Sequence, residues 1–152
     1  MPNTDWSELN GLQLGRYAEY YAKMEFASYG FEVYTSEVDD HGVDFIVKTK
    51  AGRFLEIQVK SVRQSNYVFM QKSKWNIDSP DTFLTLLLFE DGKLPDTYLI
   101  PAYTWKTTNE LFCDKDFVDL KSKPEYGLNL SKKNMPLLKS YKLEEMIMSL
   151  HG

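Results

Sequence analysis

The chain has 152 residues, of which 43% are hydrophobic, 14% aromatic and 26% charged, with a formal net charge of −4. That apolar and aromatic content excludes a disordered chain, and the length suits one hydrophobic core rather than two. A single cysteine, Cys113, excludes an internal disulfide and a cysteine metal site, and no stretch reads as a signal peptide or a spanning helix, so a cytoplasmic protein is expected.

Leu14, Ala18, Tyr21, Ala22 and Phe26 recur at spacings of three and four, which predicts a helix over residues 12–29 that Gly30 then stops. Residues 31–38 are aromatic and β-branched and predict a strand. Asp39, Asp40, His41 and Gly42 form a turn signal before a second predicted strand at 43–49. After a turn at 50–53, Leu55, Ile57 and Val59 alternate with Glu56, Gln58 and Lys60, the period-two pattern of a strand. Three short strands in succession predict an antiparallel meander.

A shorter strand is expected at 67–70, then a polar loop around Trp75 and Pro80. The apolar run at 83–89 predicts a strand covered on both faces, ordinarily by helices. Beyond the Asp91-Gly92 turn, 97–100 predicts a strand, 103–111 a short helix, 121–129 a loop, and 142–150 a C-terminal helix. With no internal repeat or linker, the order predicts a single mixed α/β domain built around a central sheet, with a core at about 12–112 and an extension over 113–152.

Charge is distributed unevenly. The acidic excess lies in residues 1–60, whereas residues 121–142 carry six lysines against Glu125 alone. This leaves room for both a negative patch that could hold a cation and a positive patch that could hold phosphate, and composition alone goes no further.

The strand over 54–62 carries the strongest chemical signal. If Leu55, Ile57 and Val59 face the core, Glu56, Gln58 and Lys60 project together from the other face at roughly 7 Å intervals. Asp44 starts the preceding strand, and a short hairpin would bring it beside that polar row. Mg²⁺ and Mn²⁺ take oxygen ligands; Asp44 and Gln58 offer two and a β-strand carbonyl offers a third, with Glu56 a weaker candidate. Lys60 beside them would orient a nucleophile and balance charge on a phosphate. The bland alternative is an ordinary solvated sheet face.

A helical glutamate, then G-V-D, then E-x-Q-x-K, in the stretches GRYAEYYAKMEFASYGFEVY, HGVDFIVKTKAG and LEIQVKS, resembles the PD-(D/E)XK nuclease superfamily, the restriction-endonuclease-like fold. The matched part covers residues 12–62. The resemblance implies a three-layer α/β sandwich whose central mixed sheet is flanked by helices, and a Mg²⁺-dependent or Mn²⁺-dependent nuclease acting on DNA. It implies Glu19, Asp44 and Gln58 as metal-holding residues and Lys60 as the catalytic lysine. Gln58 departs from the usual Asp or Glu; subgroups of the superfamily use Q-x-K, but a neutral amide is a weaker ligand. A homodimer and DNA-backbone contacts from Lys132 and Lys133 are further expectations.

Each residue also has a plainer reading. Glu19 could pair with Lys23 one helical turn on, Asp39, Asp40 and His41 could only shape their turn, and Lys132 and Lys133 could be solvated. Trp75, Tyr67 and Phe69 could stack on bases, but core packing is the commoner role of aromatics, and Cys113 suits a small apolar position. The second functional reading is a catalytically inactive DNA or protein binding module on the same fold.

Overall fold

The computed structural model describes residues 1–35, 42–117 and 121–151. After a short N-terminal 3-10 turn at Trp6–Glu8, helix α1 runs over Gly11–Ser28 and strands β1 (Glu32–Thr35), β2 (Phe45–Lys48) and β3 (Phe54–Arg63) follow. Asn10 caps α1 reciprocally: its side chain accepts from the Gln13 N–H and the Gln13 side chain accepts from the Asn10 N–H, both at 2.9 Å. At the other end Gly30 takes φ 91°, the left-handed geometry that lets the chain leave the helix and enter β1.

β1, β2 and β3 form the expected antiparallel meander, with Phe45 opposite Ile57 and Val47 opposite Leu55. β3 then pairs in parallel with β5 (Thr82–Phe89), and β5 pairs antiparallel with β6 (Asp96–Pro101), completing a five-stranded mixed sheet in the order β1-β2-β3-β5-β6. A parallel neighbour requires a crossover. Here the crossover contains β4 (Tyr67–Gln71), which leaves the first sheet after Gln64, a non-glycine residue at φ 61°.

β4 belongs to a second, antiparallel sheet in the order β4-β8-β7, with β7 at Phe112–Lys115 and β8 at Glu125–Asn129. The expected loop at 121–129 is corrected here: its second half is the central strand of that sheet. Gly127 reads as a loop signal, but it sits mid-strand because the Tyr67 phenol from β4 occupies the space where a side chain would stand. The helix expected at 103–111 is reduced to a 3-10 turn over Ala102–Lys106. The chain ends with a one-turn helix α2 (Met135–Leu138) and helix α3 (Leu143–His151).

The central sheet is thus covered on both faces. On one, Leu14, Ala18, Ala22 and Phe26 of α1 and Leu143 and Ile147 of α3 pack against Phe45, Leu55, Ile57, Phe83 and Leu87. Ala18 and Ala22 are fully buried, and their small side chains let α1 lie close to the sheet. On the other face, Leu84, Leu86 and Ile100 meet Met70, Trp75, Trp105, Phe112 and Leu128, so the second sheet and its turns supply that layer. Trp75 and Trp105 cross at 90° with centroids 5.7 Å apart, and the Trp105 indole N–H donates to the Gly127 carbonyl at 2.9 Å. Among the described residues no helix is long and apolar enough to cross a membrane.

Gly127 generates a test of the second sheet. Gly127→Ala is expected to destabilise the protein by about 1–3 kcal/mol, because the added methyl overlaps the Tyr67 ring and forces the β4·β8 pair apart. Urea unfolding of the two proteins measures it, and equal midpoints would contradict this packing.

Candidate active site

β3 has two different faces because its two sets of alternating side chains meet different layers. Leu55 and Ile57 are fully buried against α1. Glu56, Gln58 and Lys60 share the opposite face with Val62, which packs into the core beneath the second sheet. The polar row therefore runs along a sheet face that a second layer partly roofs, rather than one open to solvent along its whole length.

Asp44 precedes β2 and is tied to β3 twice. Its N–H donates to the Ile57 carbonyl at 2.8 Å, and its Oδ2 accepts from the Val59 N–H at 2.6 Å. The carboxylate thus satisfies a β3 backbone donor beyond the end of β2 and is held beside the polar row. Gln58 Oε1 is buried and has no hydrogen-bond partner among the described residues. An unsatisfied buried acceptor is costly unless something binds it.

Gly42 lies beside that oxygen and closes tightly on the Lys74 backbone. It adopts φ 81°, and a Cβ there would stand 3.5 Å from Gln58 Oε1 and 3.1 Å from the Lys74 carbonyl oxygen. Glycine serves both needs, the left-handed backbone and the close approach. Asp44, Gln58 and half-buried Lys60 line one depression of about 400 Å³, whose other wall brings Phe69 and Gln71 of β4 and the exposed Lys74. A larger cleft of about 580 Å³ adjoins it through Gly42, Gln58 and Lys74 and continues past Glu56 to Trp75 and Tyr126. Glu56 is exposed in that second cleft and receives a hydrogen bond from Thr82 Oγ1 at 3.4 Å.

The remaining sequence candidates fall elsewhere. Glu19 pairs with Lys23 at 3.2 Å, and Lys23 also donates to Thr35 Oγ1 at 3.3 Å and lies 5.7 Å from the Phe45 ring. Since Thr35 is opposite Phe45, this pair stands at the Asp44 end of the sheet but on its α1 side, and Glu19 does not line either cleft. Lys132 and Lys133 are exposed in a 3-10 turn at Lys132–Asn134 and line neither cleft. Asp39, Asp40 and His41 lie outside the described residues. Trp75 is core, as its plainer reading had it, and Cys113 is a free, half-buried thiol on β7.

Gly42, Gln71 and Lys74 escaped the sequence reading as site residues, and nothing in their local pattern marks them. Phe69 left a signal, since it is the aromatic between Val68 and Met70 in an alternating strand and so had to face away from their core.

No known sequence family matches the chain, and no curated protein matches it. Among solved structures, the bacterial homing endonuclease I-Ssp6803I is similar over 93% of this chain and 91% of its own, with a TM-score of 0.56 at 16% identity. The Holliday junction resolvase Hjc of the archaeal hyperthermophile Archaeoglobus fulgidus is similar over 87% of this chain and 93% of its own, with a TM-score of 0.56 at 11% identity. Both neighbours have the restriction-endonuclease-like fold, and this chain shares it. At these identities the likeness is one of fold.

The dual attachment of Asp44 separates its structural from its chemical part. Asp44→Ala strands the Val59 N–H and is expected to cost about 1–3 kcal/mol, whereas Asp44→Asn keeps an acceptor there and costs less than about 1 kcal/mol. Chemical denaturation of the two variants beside the wild type decides it; equal losses would contradict the bond's role.

Proposed function

We propose that the protein is a metal-dependent nuclease that hydrolyses DNA phosphodiester bonds in the cleft between its two sheets. The observation that carries this is the placement, on one depression, of a backbone-anchored carboxylate, a buried amide oxygen with no hydrogen-bond partner among the described residues, and an ammonium. The likeness in fold to a homing endonuclease and a Holliday junction resolvase supports the nuclease reading.

The donor set fits a hard divalent cation such as Mg²⁺ or Mn²⁺. Asp44 and Gln58 would hold it, and the buried Gln58 Oε1, which has no hydrogen-bond partner among the described residues, is the feature that fits best. Such a cation, when bound, supplies positive charge against the scissile phosphate. Lys60 adds a second positive charge from the same strand face and donates hydrogen bonds to a phosphoryl oxygen or the attacking water. Asp44 keeps its orientation through the Val59 N–H, so it needs little reorganisation when substrate enters. Water adds to phosphorus as the bond to the leaving oxygen breaks; the attacking water gives up a proton to solvent, and the leaving oxygen takes one from solvent to depart as an alcohol. Glu19 joins only by releasing Lys23, which gives it a smaller share. Action on DNA fits a cytoplasmic protein, and two copies would be needed to cut both strands at once.

Among the described residues no group of three or more His, Cys, Asp or Glu could hold a metal ion. A cation held by that one carboxylate and that one amide alone would bind weakly. This favours, as a second reading, a binding module on the same fold.

Cleavage of labelled single-stranded, duplex and four-way-junction DNA with Mg²⁺ or Mn²⁺ tests the proposal. The wild type is expected to cut, with losses of about 100-fold or more in Asp44→Asn and Lys60→Ala and a smaller loss in Glu19→Ala. Gln58→Glu should tighten cation binding in calorimetry, because a carboxylate replaces an amide. Cleavage that survives in both Asp44→Asn and Lys60→Ala would overturn this site, and absence of cleavage by folded wild type on every substrate would favour the binding module.

A further inference from the structure

The second sheet contributes an aromatic side chain to the cleft that the chemistry above does not use. Val68 and Met70 turn into the core, while Phe69 between them faces outward, is 45% exposed, and lines the same depression as Asp44, Gln58 and Lys60. Among the described residues with large exposed apolar side chains, Phe69 is the one that lines this depression.

Phe69 is backed by Tyr67, two residues earlier on the same face of β4, with ring centroids 6.3 Å apart and planes 21° from parallel. Tyr67 is fixed in turn. Its hydroxyl donates to the Glu125 carboxylate, its ring occupies the space left by Gly127, and the Lys115 ammonium lies 4.2 Å from its centroid. Burial, reinforced by the neighbouring Glu125 carboxylate, pushes the Tyr67 hydroxyl well above the usual phenol range, so it stays a neutral donor and the ring stays anchored. Phe69 is thus a supported flat surface, while Lys60 and Lys74 give the same depression positive charge.

A nucleic-acid strand combines phosphates, which suit those lysines, with flat bases, which suit an exposed aromatic ring only when they are not stacked in a continuous duplex. We propose that Phe69 stacks on an unpaired nucleobase of a DNA strand lying in this cleft, so that single-stranded or locally unpaired DNA is preferred over continuous duplex. This names the substrate class of the proposed nuclease site and rests on that reading for the presence of a strand in the cleft.

The test is equilibrium binding in EDTA, where no cleavage intervenes. Anisotropy of a labelled single strand is compared with the same strand carrying abasic positions and with a blunt duplex, for wild type, Phe69→Ala and Phe69→Trp. Wild type and Phe69→Trp are expected to bind the intact strand about tenfold tighter than the abasic one, and Phe69→Ala to lose that difference. Because Phe69 is about half exposed and its covered side meets Tyr67, Phe69→Ala should lower the Tm by only a few degrees. An unchanged preference for the intact strand in Phe69→Ala, or no oligonucleotide binding at all, overturns the inference. Cleavage that depends on Asp44 and Lys60 but ignores Phe69 in both binding and rate would overturn it while leaving the nuclease standing. Phe69-dependent binding without any metal-dependent cleavage would support it and reject the nuclease.

Discussion

A β-strand sends alternate side chains to opposite faces, and the cleft exists because β3 is buried on one face and only partly roofed on the other. Leu55 and Ile57 commit one set of side chains to α1, so Glu56, Gln58 and Lys60 have no choice but the opposite side. A slip of one residue would put Gln58 and Lys60 into the apolar core and expose Leu55 and Ile57, so the register that folds the sheet also builds the site. The pairing of Phe45 with Ile57 fixes that register, and it delivers Asp44 to the backbone of β3 at Val59.

The second sheet converts this strand face into a cleft. Parallel pairing of β3 with β5 demands a long crossover, and the chain uses it to place β4 over the end of the polar row. The crossover is anchored deep in the core by Met70 and Trp75, both almost fully buried. Its outward residues, Phe69 and Gln71, then have a fixed relation to Lys60 and Gln58. Precision at the site comes from strands on both sides, with Gly42 the point where the chain passes close to the Lys74 backbone beside Gln58.

Helix α1, the meander and the buried β5 were legible in the sequence because each has a clear period or a clear stop signal. The second sheet was not. β7 and β8 are short and interrupted by charges and Gly127, and their pairing depends on packing between β4 and residues some sixty positions away. Local pattern carries no information about such a partner. The apolar run of β5 correctly signalled two covered faces, but burial alone does not say whether a helix or a sheet provides the cover.

At the site, alternation on β3 brought Gln58 and Lys60 together, and the short hairpin between β2 and β3 brought Asp44 beside them. The spacing of four on α1 had already offered Lys23 as the partner of Glu19; what local pattern could not show is that Phe69 shares the cleft, since that depends on how β4 packs over β3. The central claim is that Asp44 and Gln58 together hold a divalent cation. The most direct measurement is titration of Mn²⁺ into isotope-labelled protein, followed by paramagnetic broadening of side-chain amide and backbone signals. The account predicts that the Gln58 side-chain amide and the Asp44 and Val59 backbone signals broaden first, and that Asp44→Asn abolishes the effect. Broadening that bypasses these residues, or that survives unchanged in Asp44→Asn, would contradict it.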